Sequence, residues 1–167
     1  MKKILVATLS SIILGTTLIS CTDTKTNSKI EESVSISTSQ IVEDIKKEIG
    51  DNIRKTALVE DNKISEIYHI NMDDVSDITI ENGTINTGLE LIAIAKVEEG
   101  KMENVKESLE KAIEDKKTSA FYPGELEAVE EAKIITKNDY IALFVIPDEE
   151  GLGLLDIAVK TFENSIN

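Results

Sequence analysis

Apolar residues change rhythm several times along this chain, and each change marks an element. Ile4 to Leu18 is a mostly apolar run, whereas Thr22 to Gln40 holds only isolated Ile30, Val34 and Ile36 among Ser, Thr, Asn and Lys. Next, Ile41, Ile45 and Ile49 recur every four residues beside Val42, which predicts a helix from about Ser39 or Gln40 to Ile49, stopped by Gly50. A shorter helix is expected over 63–68, capped by Asp61 or Asn62, with Ile64, Ile67 and Tyr68 on one side. From Ser76 the period is two, with Ile78 and Ile80 alternating against Asp77, Thr79 and Glu81, as in a strand. The run from Leu89 to Val97 is nearly continuous, which suits an interior strand packed on at least one face. Asn82-Gly83 and Asn86-Thr87-Gly88 both have turn chemistry, and the later one is favoured as the link between these strands.

Helical spacing returns with Met102, Val105, Leu109, Ala112 and Ile113, predicting a helix from Lys101 to about Lys117. Pro123 then suits the first turn of a short helix reaching Ala132. A hairpin follows, 133–136 and 140–146, joined by Lys137-Asn138-Asp139 and ended by Pro147. The last helix, from about Glu149 or Gly151 to Ser165, sets Leu152, Leu155, Val159, Phe162 and Ile166 on one stripe. From Ser76 onward the order is thus two ββα halves. The expected fold is α+β: a four-stranded, mainly antiparallel sheet with helices packed on one face, preceded by an N-terminal helix.

Lys2-Lys3 ahead of the apolar run has the form of a secretory signal, a positive segment followed by a hydrophobic one. Ala7 is the only alanine before Ala57, so no Ala-x-Ala cleavage site is present. Leu18-Ile19-Ser20-Cys21 instead resembles the bacterial lipobox. That resemblance implies a diacylglyceryl thioether on the Cys21 sulfur and cleavage between Ser20 and Cys21. Two acyl chains, at roughly 0.8 kcal/mol per buried methylene, anchor stably where one is marginal. The run also carries Thr8, Ser10, Ser11, Thr16 and Thr17 and sits near the lower length limit for an uncleaved spanning helix. The expected organisation is therefore a lipoprotein signal peptide at 1–20, a flexible tether at 21–39 and one α+β domain at 40–167. As a coil the tether would span on the order of 20 to 25 Å. A short strand through Val34–Ile36 is its alternative, although it alternates for only three residues.

Charge narrows the partners. Removing 20 residues from 167 removes two lysines and no acid, leaving 16 basic against 32 acidic side chains. Such a surface repels phosphate backbones and anionic lipid alike, so nucleic acid and an electrostatic membrane dock are both excluded. Cys21 is the single cysteine, so its lipidation leaves no disulfide and no thiolate metal site. With no Trp, three Tyr and three Phe, a stacking platform for sugars or bases has few parts.

Candidate chemistry is sparse. His69 is the only histidine, and beside Tyr68 at a helix end it reads as structural; no Gly-x-Ser-x-Gly elbow accompanies it. Asn71-Met72-Asp73-Asp74-Val75-Ser76-Asp77 is an acidic knot, but Val75 stands at a ligand position of a calcium loop and Ser76 where the turn glycine belongs, so no metal is assigned. Gly151-Leu152-Gly153 lies between strand and helix like a phosphate loop, yet lacks a third glycine and follows three acids. No cofactor and no catalytic residue is assigned. Phe121 and Tyr122, with Tyr68, are the candidate contact surface.

Several stretches together resemble an uncharacterised family of small lipoproteins from Firmicutes, domain of unknown function 4358. They are Tyr68 with Ile70, Asp73-Asp74-Val75, Ile92-Ala93, Val105 to Leu109, Phe121-Tyr122-Pro123 and Lys137-Asn138-Asp139-Tyr140, covering about residues 40 to 165. Where the family leads one to expect glycine after the tyrosine, this chain has His69. The resemblance implies an extracytoplasmic location and brings no activity, cofactor or catalytic residue. The functional expectation is a membrane-anchored, non-enzymatic binding or interaction domain, held to the bilayer through acylated Cys21 and meeting a protein or peptide at the cell envelope. Its alternatives are an accessory subunit of a membrane transporter or envelope complex and a carboxylate-dependent cell-wall hydrolase. The oligomeric state stays open.

Overall fold

The computed structural model describes residues 35–84 and 89–166. The signal segment, Cys21, the expected tether up to residue 34 and the turn candidate Asn86-Thr87-Gly88 lie outside these described residues. In chain order the elements are α1 (Thr38–Ile49), β1 (Thr56–Leu58), α2 (Asp61–Tyr68), β2 (Val75–Gly83), β3 (Leu91–Val97), α3 (Met102–Ser119), α4 (Pro123–Glu130), β4 (Lys133–Lys137), β5 (Tyr140–Val145) and α5 (Leu154–Ser165).

The class is α+β, as the alternating rhythms indicate, but the sheet has five strands rather than four. Its order is β1-β2-β3-β5-β4, antiparallel throughout. The extra strand, β1, is three residues long and pairs Thr56 with Gly83 at the edge of β2. So short a segment offers no readable alternation. β2 stays paired as far as Asn82, opposite Leu91, and the Gly83 N–H donates to the Glu90 carbonyl. Asn82-Gly83 therefore belongs to the ladder and does not close the hairpin.

A second correction concerns the layers, because helices cover both faces of the sheet. One face carries Ile80, Leu91, Ala93, Ala95, Ile141, Leu143 and Val145 against Ile64 and Tyr68 of α2, Val105 and Leu109 of α3, and Val129 of α4. On the other, Ile92, Ile94, Ala142 and Phe144 meet Ile41, Val42, Ile45 and Ile49 of α1 and Ala158 and Phe162 of α5. Phe144 and Phe162 touch edge to face, with ring centroids 6.1 Å apart. Strands β3 and β5 read as unbroken apolar runs for this reason: both of their faces are buried.

Polar residues fasten α1. Ser37 caps it, its hydroxyl accepting the Gln40 N–H, while the Thr38 N–H donates to Asp77 at 2.8 Å and the Thr38 and Thr79 hydroxyls meet at 2.8 Å. Lys46 reaches Glu81 at 2.8 Å, and the Thr56 hydroxyl donates to the same carboxylate. Asp77, Thr79 and Glu81 occupy alternate positions of β2 and so point to one face, the one that α1 covers. The free side of edge strand β4 is flanked by Lys133 and Lys137, which bridge to Asp156 and the Glu163 carbonyl of α5 and blunt its capacity to pair with another chain.

Candidate functional site: a charged cleft at one end of the sheet

The sheet places the C-terminal ends of β2 and β5 and the start of β3 at one end, and the segments that leave and enter there surround a cleft. A cavity of about 200 Å³ is lined by Asn52, Arg54, Glu90, Pro147, Glu149 and Leu152, among others. A second depression shares Arg54, Pro147 and Glu149 and extends to Leu89, Tyr122 and Gly124.

Local chemistry shapes each wall. Beyond Pro147, the Asp148 carboxylate accepts the backbone N–H groups of Leu152 at 2.8 Å, Gly153 at 2.6 Å and Leu154 at 3.2 Å. These hydrogen bonds, that of Leu152 foremost, hold its acid well below the usual carboxylate range. They also explain why α5 starts at Leu154 rather than near Glu149 or Gly151. Gly153, left-handed at φ 73°, precedes it, and Leu152 is left 47% exposed on the rim. The resemblance of Gly151-Leu152-Gly153 to a phosphate loop dissolves here, since the loop's own N–H groups are aimed at Asp148. On the other wall, Glu125 accepts the N–H groups of Phe121 at 3.1 Å and Tyr122 at 3.3 Å, half of a capping box that fixes the start of α4. Phe121 and Tyr122 are thereby displayed, 82% and 67% exposed.

The floor carries opposed charges. Arg54 pairs with Glu149 through Nη2 and lies 3.5 Å from Glu90 through Nε. Glu90 is 1% exposed, and neither of its carboxylate oxygens receives a hydrogen bond among the described residues. It is packed so closely beneath β2 that a methyl group on Gly83 would come within 2.2 Å of Oε2. On its far side Lys116 donates to the Asn82 side chain at 3.1 Å; burial pushes the Lys116 ammonium down in pKa, and the negative charge of Glu90 opposes that fall.

The sequence-nominated residues divide between cleft and core. Tyr122 lines the cleft and Phe121 stands beside it, whereas Tyr68, the last residue of α2, is buried in the core, its phenol pushed up to about 12 by desolvation. It shares no surface with the other two. His69 ends α2 in the left-handed region, its ring 2.6 Å from Asp115 and its carbonyl accepting the Ser108 hydroxyl. The acidic knot does not converge. Asp74 turns to Asn104 at 3.1 Å and Lys101 at 3.0 Å, Asp77 to the start of α1, and the Asp73 N–H to the Asn71 side chain. Glu90 carried one legible signal, being with Lys96 one of two charges inside an otherwise apolar run. Arg54 carried none, because its segment lacks periodicity.

Fold and cleft together define an α+β domain with a two-sided core and a charged depression at one sheet end. The chain belongs to a family described as Domain of unknown function (DUF4358), whose model matches residues 48–146. No curated protein and no solved structure matches it. Among the described residues, no helix is long and apolar enough to cross a membrane.

Proposed function

We propose that the protein is an extracytoplasmic lipoprotein of a Firmicutes bacterium, anchored through a diacylated Cys21, and that its domain is a non-enzymatic binding module. The anchor rests on Lys2-Lys3, the apolar run and Leu18-Ile19-Ser20-Cys21 in sequence. The binding module rests chiefly on the cleft, where a buried carboxylate lines one depression, an exposed tyrosine lines the next, and an arginine lines both. His69 lines neither part of it and is engaged with Asp115, so this histidine is not poised to serve as a base there. Growth on an alkyne-tagged palmitate, followed by mass spectrometry of the mature N-terminus, tests the anchor. Label on Cys21 as first residue, lost with release from the membrane fraction in Cys21→Ala, is expected; a mature chain beginning at another, unmodified residue refutes it.

A second reading, an accessory subunit docking on a membrane transporter or envelope complex, draws support from the exposure of Phe121 and Tyr122, since aromatic anchors carry much of the binding energy at interfaces. Cross-linking in intact cells, compared between wild type and a Phe121→Ser/Tyr122→Ser double variant, separates a docked subunit from free-standing ligand capture. A carboxylate-dependent hydrolase of wall polymers is the third, suggested by the acids around the cleft. Clearing of wall polymer in a zymogram by the purified protein would establish it in place of the binding reading.

A further inference from the structure

Strand β1 leaves one edge of the sheet open. Along it the Lys55 carbonyl accepts the Thr84 N–H at 3.0 Å, Ala57 stands opposite Asn82, and the Val59 N–H donates to the Ile80 carbonyl at 2.8 Å. Backbone groups alternate in direction along an antiparallel strand, so those of Lys55, Ala57 and Val59 face β2 and those of Thr56 and Leu58 face outward. The outward N–H and C=O groups have no partner among the described residues. The two edges of the sheet differ in their protection. At β4, Lys133 and Lys137 discourage pairing, whereas Thr56-Ala57-Leu58 carries no charge and displays Leu58 at 67% exposure. On the opposite face Ile67, 48% exposed, lines a depression with Asn82, the residue that pairs with Ala57. Apolar surface therefore flanks this edge on both sides.

We propose that β1 pairs with β1 of a second copy of this chain, antiparallel about a two-fold axis at Ala57, in a weak, reversible dimer. Alternation fixes the register. An outward residue must oppose an outward residue, and only the register that sets Thr56 against Leu58 of the second copy engages the outward residues of both strands with one another. Each such pair exchanges both N–H···O bonds, and Ala57 meets Ala57 across the axis, where both side chains are small. Charge selects the second copy and the antiparallel sense. Arg54-Lys55 precedes the strand and Glu60-Asp61 follows it, so antiparallel pairing sets basic ends against acidic ones, and parallel pairing would set like against like. In this register Arg54 stands opposite Glu60 of the second copy, on both sides of the axis. Glu60 is exposed and has no ion pair among the described residues, whereas Arg54 already meets Glu149, so the facing pair orients the strands more than it adds affinity. A strand of three residues buries far less than the roughly 1,200 Å² of a stable interface, which is why the dimer is reversible.

Oxidative trapping of full-length Ala57→Cys in non-ionic detergent, with copper phenanthroline and non-reducing gels, tests the pairing and needs no membrane. Facing Cα atoms in a pair of this kind lie about 4.5 Å apart, within disulfide range, so a linked dimer is expected. Wild type under the same oxidation reports any link through Cys21, and Glu127→Cys, exposed on α4, reports random collision. Ala57→Cys should link at least about tenfold faster than Glu127→Cys, because the paired strands hold its thiols together. Adding Leu58→Lys, a charge on the open edge, should remove that advantage. Leu58 packs in neither core, so Leu58→Lys should keep the wild-type circular dichroism, which separates a lost dimer from a lost fold. Linking of Ala57→Cys at the collision rate, or linking that a folded Leu58→Lys background leaves unchanged, overturns the proposal. A strand from another protein is the rival occupant. A photoreactive benzoylphenylalanine in place of Leu58, irradiated in cells, is expected to give an adduct of twice the chain mass; adducts of another mass alone overturn self-pairing as well.

Discussion

His69 occupies a left-handed backbone position, φ 60°, at the end of α2. An L side chain there is disfavoured by about 1–2 kcal/mol, part of which a glycine returns by being more flexible when unfolded. His69→Gly should therefore raise unfolding stability by about 0.5–1 kcal/mol in denaturant titration, even without the contact to Asp115. Asp148 gives a residue-scale prediction in pH. Its folded pKa lies below the ordinary 3.8, so its contribution is fully present above that value and is lost as pH falls through the lower, folded one. Asp74, held down by hydrogen bonds from Asn104 and Lys101, behaves alike. In acid titrations followed by circular dichroism, Asp148→Asn should be less stable than wild type at neutral pH, and the gap should close below pH 3.8. A constant gap would show that the N–H cluster does not depend on the charge.

Among the elements, α1 and α5 depend on the sheet face built from Ile92, Ile94, Ala142 and Phe144. Phe144→Ala removes a fully buried ring and its edge contact with Phe162, and should cost about 3–5 kcal/mol in equilibrium unfolding. Lys46→Ala is subtler: it strips Glu81, itself 8% exposed, of its ammonium partner and should cost about 1–3 kcal/mol by the same measurement. These elements also show what could be read beforehand. The helices and β2 follow from spacing, because periods of 3.6 and 2 survive where one face is apolar, while β3 and β5 follow from unbroken apolar runs and β4 from the turn residues that join it to β5. The second helical layer did not follow, for a specific reason. Asp77, Thr79 and Glu81 look like a solvent face in sequence, but they hydrogen-bond to α1, and alternation cannot distinguish water from a helix that offers donors. The unbroken runs of β3 and β5 point the other way, to a sheet buried on both faces. At the cleft, Tyr122 was legible as part of the only local aromatic cluster. The pairing of Arg54 with Glu90 and Glu149 was not, since it joins residues that only the sheet topology brings together.

At the scale of the molecule, 32 acids oppose 18 bases on one chain. Such an excess strains the compact state by self-repulsion. Raising salt from a few millimolar to about 0.1 M, where the screening length is about 10 Å, should raise the thermal midpoint, and a fall would indicate that local ion pairs dominate. The stretches that carry the family resemblance divide by depth as well. Asn138 makes the β4–β5 turn at φ 53° and Tyr140 is buried, whereas Phe121 and Tyr122 alone among the aromatic residues named there face outward.

The Tyr140 hydroxyl donates to the Ile36 carbonyl at 2.6 Å, two residues before the Thr38 contacts to Asp77 and Thr79. Tension arriving along the backbone ahead of Ser35 thus meets a clasp on β5 and β2, near the middle of the sheet, before it can peel α1 away. The domain is in effect gripped by its interior strands, and in a single-molecule pull from the N-terminal side Tyr140→Phe should yield at lower force than the wild type while melting at nearly the same temperature.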